Sequence, residues 1–237
     1  MTQNYKNIAV IIPALNEAEN LQWLLPKLCP NYTVVVVDNN SSDNTLIVAK
    51  ESGALALQCK QMGYGSAVKM GCDYVVKSLA DQGIKALVVF DADGTSPVEE
   101  INNVTKPILA SQADIVIAQR QQLELGAMPL HAKFGNSLTV FLIRVLTGYK
   151  YSDMGPLRAL TLELYGQLKM QDPTWGWNVE MQLKTAFLRR KIIQVPIAYK
   201  KRKFGKSKIS GSLLGSIRAG TRILYSVGYY YLQARRL

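Results

Sequence analysis

The sequence lacks several features that would each define a class of protein. No run of about 18 or more consecutive apolar residues occurs, which argues against a segment that spans a bilayer outright. Its three cysteines, Cys29, Cys59 and Cys72, are odd in number and have no metal-type spacing, so a reduced, cytoplasmic protein is expected. The single histidine, His131, is read as structural or exposed and is given no role. Residues 1–7 are polar and lead straight into an apolar run, so no secretory signal is expected. No internal repeat, low-complexity tract or Pro/Gly/Ser linker marks a domain boundary.

Acid is missing from the entire C-terminal quarter. After Glu180 there is no Asp or Glu, while half of the 28 Lys and Arg lie between Lys184 and Arg236. The net charge of +11 is therefore a local property, and residues 1–183 alone carry a small acidic excess of about −3. An anionic surface or ligand is the expected partner of the basic quarter. Nucleic acid fits poorly, because the stretch 200–208 has no aromatic residue except Phe204 and acidic strand ends would repel phosphates. With 237 residues, 48% hydrophobic and 19% charged, the chain suits one large domain, or a domain with a tail.

Strands and helices alternate through the first half. Ile8–Ile12, Val34–Val37, Leu55–Gln58, Ala86–Phe90 and Asp114–Ala118 read as strands. Four consecutive valines suit a strand covered on both faces. Helices are expected after Glu17, over about Thr45–Ser52 with Ser42 or Asp43 as cap, from the turn Gly63–Ala67, and over Val98–Leu109. The second half is less regular, with a long helix over Phe134–Leu146, a polar turn Tyr151–Arg158, a helix ending near Leu188, and an edge strand Ile192–Tyr199 interrupted by Pro196. The pattern predicts an α/β fold with a mostly parallel sheet flanked by helices, and open sheets of this kind bind ligands at strand C-terminal ends.

Val88-Val89-Phe90 runs into Asp91-Ala92-Asp93-Gly94, which puts two carboxylates on one side of an extended chain. Alone, such a pair is more often an acidic turn after a strand. Beside the other strand-end loops it suits Mg2+ or Mn2+ holding a diphosphate. A nucleotide-diphosphate sugar makes the loops mutually consistent, with Asp38 accepting from base or ribose, Lys69 near the nucleotide end, and Arg120 offsetting phosphate charge.

Pro13-Ala14-Leu15-Asn16-Glu17, Asp38–Thr45, Gly63–Ala67 and Asp91-Ala92-Asp93 stand in the order and spacing of family 2 glycosyltransferases of GT-A fold. Within that family the chain most resembles the dolichol-phosphate mannose/glucose synthase branch, which shares counterparts of Asn136, Asp153, Glu180, Val195-Pro196-Ile197, Arg202 and Gly205–Lys208. The resemblance implies that Pro13, Ala14, Glu17, Asp38 and Ala92 belong to the donor pocket. It implies that Asp91 and Asp93 bind metal and diphosphate, and that Arg120, Arg202, Ser207 and Lys208 lie near the donor diphosphate and the acceptor phosphate. The chain departs from the family pattern at Asn39, where many members carry Asp, at Gly94-Thr95 in place of Leu-Gln, and at Met154-Gly155-Pro156-Leu157 before Arg158.

The implied activity is an inverting transfer of a hexose, from a donor of UDP-glucose or GDP-mannose type, to a polyprenyl phosphate at a membrane face. A phosphate acceptor needs no strong base, whereas a hydroxyl acceptor would call on Glu180 or Asp153. A nucleotidyltransferase is disfavoured because no glycine-rich basic loop follows the first strand. Residues 1–210 are expected to form the catalytic domain and 211–237 an amphipathic helix. That helix lies on an anionic membrane, or packs on the sheet or on a second copy in a homo-oligomer.

Overall fold

A computed structural model describes residues 5–205 and 213–235, with the backbone alone described for Gln122 and for residues 213–219. Tyr5–Ala14 is strand β1 and Tyr32–Asp38 is β2. Their apolar runs divide by alternation, with Ile8, Val10, Ile12, Val34 and Val36 in one core layer and Ala9, Ile11, Val35 and Val37 in the other. Both faces of the sheet are covered, which is why the runs are uninterrupted.

The first layer is closed by helices α1 (Ala18–Leu28), α2 (Thr45–Glu51) and α4 (Glu100–Leu109). The second is closed by α3 (Tyr64–Ser78), α5 (Leu130–Thr147), α6 (Leu162–Leu168), α7 (Trp177–Phe187) and α8 (Leu213–Ala234). Among these, α8 packs on α7 and α5 and buries Val227 and Tyr230 beside Trp177 and Val179.

With β3 (Leu55–Gln58), β4 (Ala86–Val89), β5 (Ile115–Leu123), β6 (Arg158–Leu160) and β7 (Ile192–Tyr199), the sheet has the order β3-β2-β1-β4-β6-β5-β7. Only β6 runs against its neighbours, pairing antiparallel with β4 and β5. The other strands therefore open their C-terminal ends along one edge. The chain winds from β1 outward to β3 and then returns to β4 on the other side of β1, so a crevice is expected between the ends of β1 and β4.

The α/β class and the mostly parallel sheet agree with the sequence pattern. β3 and β7 have the predicted bounds, with β7 at the sheet edge where Pro196 is tolerated. Each difference has a physical cause. β6 is hidden in what reads as a polar turn and two flanking apolar residues, because it is three residues long and begins with Arg158. β5 runs on through Gln119–Leu123 because β7 pairs with it as far as Tyr199. α4 begins at Glu100 rather than Val98, after a turn in which Pro97 O accepts from Glu100 N.

Phe90, fully buried in the first layer, is the residue that anchors the acidic loop after β4 to the core. Phe90→Ala is expected to lower unfolding free energy by about 3–5 kcal/mol in urea titration. A loss under ~1 kcal/mol would show that the site of Phe90 collapses freely.

Candidate active site

The loops after β1 and β2 form one unit. The chain leaves β1 through Asn16 at a φ of 51°, a left-handed conformation that Asn tolerates. Asn16 N donates to Ser41 Oγ (2.8 Å), Ser42 N to Asn16 Oδ1 (2.8 Å) and Glu17 N to Thr45 Oγ1 (2.8 Å). Asp43 serves both helix starts, since Thr45 N donates to its Oδ1 (3.0 Å) and Ala18 N to its Oδ2 (3.3 Å). The N-cap position of α2 itself is Asn44, which makes no side-chain cap bond.

Asp38 is buried at the end of β2, and its carboxylate accepts from Ser41 N at 3.3 and 3.4 Å. Asn39 explains why an amide suits this position. Its Nδ2 donates to Gln61 O (2.8 Å) and Cys59 O (3.4 Å), while its Oδ1 accepts from Gly63 N (2.7 Å). A carboxylate has no proton to donate to the two carbonyls.

At the end of β4, Asp91 lies next to Tyr64, whose hydroxyl donates to its Oδ1 (3.4 Å). Burial, and then the neighbouring Asp93, push the Asp91 carboxyl up to about 7, opposed in part by Tyr64, Arg158 and Arg120. Arg158 is fully buried, donates to Gly155 O, and places its charge within range of Asp91. Asp93 Oδ1 accepts from Thr95 N (3.0 Å) and Thr95 Oγ1 (2.7 Å). Its Oδ2 faces Arg202 Nη1 at 3.5 Å. Arg202 also pairs closely with Glu17 and donates from Nε to Phe204 O (2.7 Å). Gly94 sits at a φ of 72° with the Trp23 ring 3.0 Å from where a Cβ would stand, so both backbone and space favour glycine.

These residues border a cavity of about 470 Å³ at the β1–β4 crevice. Its lining includes Pro13, Ala14 and Glu17 after β1, Asn39 after β2, Gly63 and Tyr64 at the start of α3, and Asp91, Ala92 and Asp93 after β4. Arg202 closes it from beyond β7, and Thr174 and Trp175 from the loop before α7. The two glycines bracketing Tyr64 admit that loop. A Cβ on Gly63 would stand 2.1 Å from Pro173 O, and one on Gly65 2.0 Å from Asp172 O.

Of the residues expected at the site, Pro13, Ala14, Glu17, Asp91, Ala92, Asp93 and Arg202 come together on this cavity. Lys69 does not; it pairs with Asp73 on α3 and borders a separate cavity beside β3. Arg120 is engaged with Asp153 by two side-chain bonds (2.8 and 2.6 Å) and with Asn136 Oδ1 (3.1 Å), set back from the lining. Glu180 is fully buried, accepting from Gln171 N, Asp172 N (2.7 Å) and Lys184 Nζ (2.6 Å). Ser207 and Lys208 lie outside the described residues. Thr174 and Trp175 were not expected; their only signal is the Asp172-Pro173-Thr174-Trp175-Gly176 turn, which is written as loop chemistry.

Asp91 and Asp93 offer acceptor oxygens in a place where their mutual repulsion is unfavourable, which fits a hard divalent cation. Among the described residues no third His, Cys, Asp or Glu completes a ligand cluster. The donor set therefore fits an ion that takes its remaining oxygens from a diphosphate and water.

A sheet of this order with an acidic crevice after β4 defines a GT-A-type transferase, and the comparisons with known proteins agree. The model of glycosyl transferase family 2 matches residues 9–192, and the chain belongs to that family of glycosyltransferases. It is 31% identical over 212 residues to an uncharacterized glycosyltransferase of Mycobacterium bovis, covering 90% of this chain and 94% of that one. It is 29% identical over 224 residues to an undecaprenyl-phosphate mannosyltransferase of Micrococcus luteus, covering 88% and 89%. Glucosyl-3-phosphoglycerate synthase from Mycobacterium tuberculosis, crystallised with Mn2+, UDP-glucose and phosphoglyceric acid, superposes with a TM-score of 0.70 at 20% identity, over 96% of this chain and 80% of that one. This last likeness shows the shared GT-A fold.

The three donors held by Glu180 predict a structural phenotype. Glu180→Gln leaves the Lys184 charge buried without its partner and is expected to cost about 3–5 kcal/mol in chemical denaturation. A loss below ~1 kcal/mol would contradict the assignment of Glu180 to holding the loop.

Proposed function

We propose that the protein transfers a hexose from a nucleoside-diphosphate sugar to the phosphate of a polyprenyl phosphate, with inversion at the anomeric carbon. The observation that carries this reading is the Asp91–Asp93 pair facing Arg202 and Glu17 across one cavity at the β1–β4 crevice. Pro13, Ala14 and Asn39 provide the wall for the nucleoside. Asp91 and Asp93 would hold Mg2+ or Mn2+, whose charge would stabilise the departing diphosphate. Arg202 is poised for the same task, because a diphosphate oxygen can replace Glu17 or Asp93 as its partner.

In the transfer an acceptor phosphate oxygen attacks the anomeric carbon, and the bond from that carbon to the diphosphate oxygen breaks. The nucleoside diphosphate leaves with the electron pair. The acceptor oxygen is already anionic, so no proton need be taken from it. The structure supports a phosphate rather than a hydroxyl acceptor on a specific ground. Asp153 and Glu180, the two carboxylates read as candidate bases, are engaged in ion pairs with Arg120 and Lys184 and do not line the cavity. The M. luteus relative acts on undecaprenyl phosphate by its name, which is consistent with that choice. For the donor, UDP-glucose is the preferred assignment, and the M. tuberculosis neighbour was crystallised with it.

A lipid acceptor requires access to a membrane. Among the described residues no helix is long and apolar enough to cross one. The surface instead carries exposed Leu130, Phe134, Phe141 and Val145 along α5 and Leu224, Tyr225, Tyr229 and Leu232 along α8. Exposed Lys200, Lys201 and Lys203 follow β7. Apolar side chains with tyrosines and lysines suit peripheral attachment to an anionic cytoplasmic membrane face, with α8 as the C-terminal amphipathic helix.

Two measurements test these assignments. UDP-glucose with Mn2+ is expected to raise the melting temperature of the wild type, and Asp91→Asn or Asp93→Asn to remove most of that shift. Equal shifts in the variants would sink the carboxylate site, and a larger shift with GDP-mannose would reassign the donor. In flotation, the protein is expected to rise with vesicles containing anionic lipid and not with neutral ones. No binding to either would contradict peripheral attachment.

A further inference from the structure

The cavity wall formed by Thr174 and Trp175 is fastened from behind by residues that are remote in sequence. Asp172 is buried, and its Oδ1 accepts from Thr174 N (2.7 Å) and Thr174 Oγ1 (2.8 Å). Its Oδ2 accepts from two donors on α8, Arg222 Nη2 (3.3 Å) and Ser226 Oγ (3.3 Å). Arg222 Nε reaches past Asp172 to Thr174 Oγ1 itself (3.1 Å). The same loop is gripped by α7 through Glu180, and by α3 through Ser66 N, which donates to Pro173 O (3.0 Å). Gly176 lets these parts close up, for a Cβ there would stand 2.1 Å from Asp172 Oδ2 and 2.2 Å from Ser226 Oγ.

We propose that α8 sets the position of the Thr174–Trp175 wall through Asp172, making Arg222 and Ser226 positioning residues for a site they do not line. A desolvated carboxylate is held firmly only while its donors are in place. Asp172 divides its oxygens between the loop and α8, so a displacement of α8 is felt at Thr174. Arg222 is the adjustable member: its side chain is 37% exposed and its guanidinium lies over the Tyr225 ring at 5.2 Å. The helix that carries the exposed Tyr225, Tyr229 and Leu232 on one side thus fixes a wall of the cavity on the other. The functional weight of this coupling rests on the cavity being the donor site, but the coupling itself is independent of that reading.

The test compares full-length wild type with Arg222→Met, which keeps length without charge, and Arg222→Lys, which restores a cation. Hydrogen exchange of the peptide spanning residues 171–176 is followed alongside UDP-glucose affinity in Mn2+. Arg222→Met is expected to speed exchange in that peptide about tenfold and to weaken UDP-glucose by about tenfold, with exchange in β1 and β4 unchanged. Arg222→Lys is expected to recover most of both. Unchanged exchange over residues 171–176 in a folded Arg222→Met protein would overturn the proposal, as would loosening spread evenly over the sheet. If Arg222→Met does not fold, Ser226→Ala provides the same comparison under the same criteria. Failure of wild type to bind any nucleotide sugar would overturn the donor-site reading alone, since the exchange data would still decide the coupling.

Discussion

The repulsion between Asp91 and Asp93 at the end of β4 organises the surrounding structure. One carboxylate lies close to the buried Arg158 and accepts from Tyr64, and the other is held by Thr95 and faces Arg202. Arg202 in turn pairs with Glu17, which accepts from Asn20 Nδ2 (2.7 Å), and Asn20 binds the backbone of Phe204 on both its N–H and its carbonyl. The basic segment after β7 is thereby folded over the mouth of the crevice. Asp91 thus has the buried Arg158 nearby, and Asp93 the partly exposed Arg202.

The carboxylates near the site fall into two kinds. Asp91, Asp93 and Glu17 line the cavity, and the last two pair with Arg202. Asp153, Glu180 and Asp172 are enclosed among backbone donors and cations, where they hold strands and loops in register. In the proposed reaction this division matters, because an anionic acceptor needs charge stabilisation on the leaving side and no proton acceptor on its own. The enclosed set has a mechanical role, with Asp172 passing the position of α8 to the cavity wall.

Much of this was legible in the sequence, for identifiable reasons. Apolar runs of strands covered on both faces, the glycine-bracketed start of α3 and the acidic end of β4 are local patterns from which the sheet could be read. Five of the seven expected residues that border the cavity (Pro13, Ala14, Glu17, Ala92 and Arg202) were expected there from the family resemblance. What escaped was decided by long-range contact. β6 is a three-residue strand whose identity depends on two neighbours 41 to 73 residues earlier in the chain. Lys69 has the right charge and spacing to point toward a nucleotide, yet its helix turns it toward Asp73 and the β3 side. Glu180 and Asp153 carry the residue type of a general base, and only the tertiary structure shows Lys184 and Arg120 already in place. Thr174 and Trp175 belong to a loop whose position is set by α8, some 50 residues further on.

Direct assay of transfer bears most closely on the proposed chemistry. Purified protein is incubated with UDP-glucose carrying a radiolabelled hexose, Mn2+ and undecaprenyl phosphate in vesicles containing anionic lipid, and the label entering the organic phase is counted. Label is expected to appear there as a phosphodiester-linked sugar, and to depend on both the cation and the lipid phosphate. Label in the organic phase with undecaprenol in place of its phosphate, or label transferred only to a soluble hydroxyl acceptor, would contradict a phosphate acceptor and return the search for a base to Asp153 and Glu180.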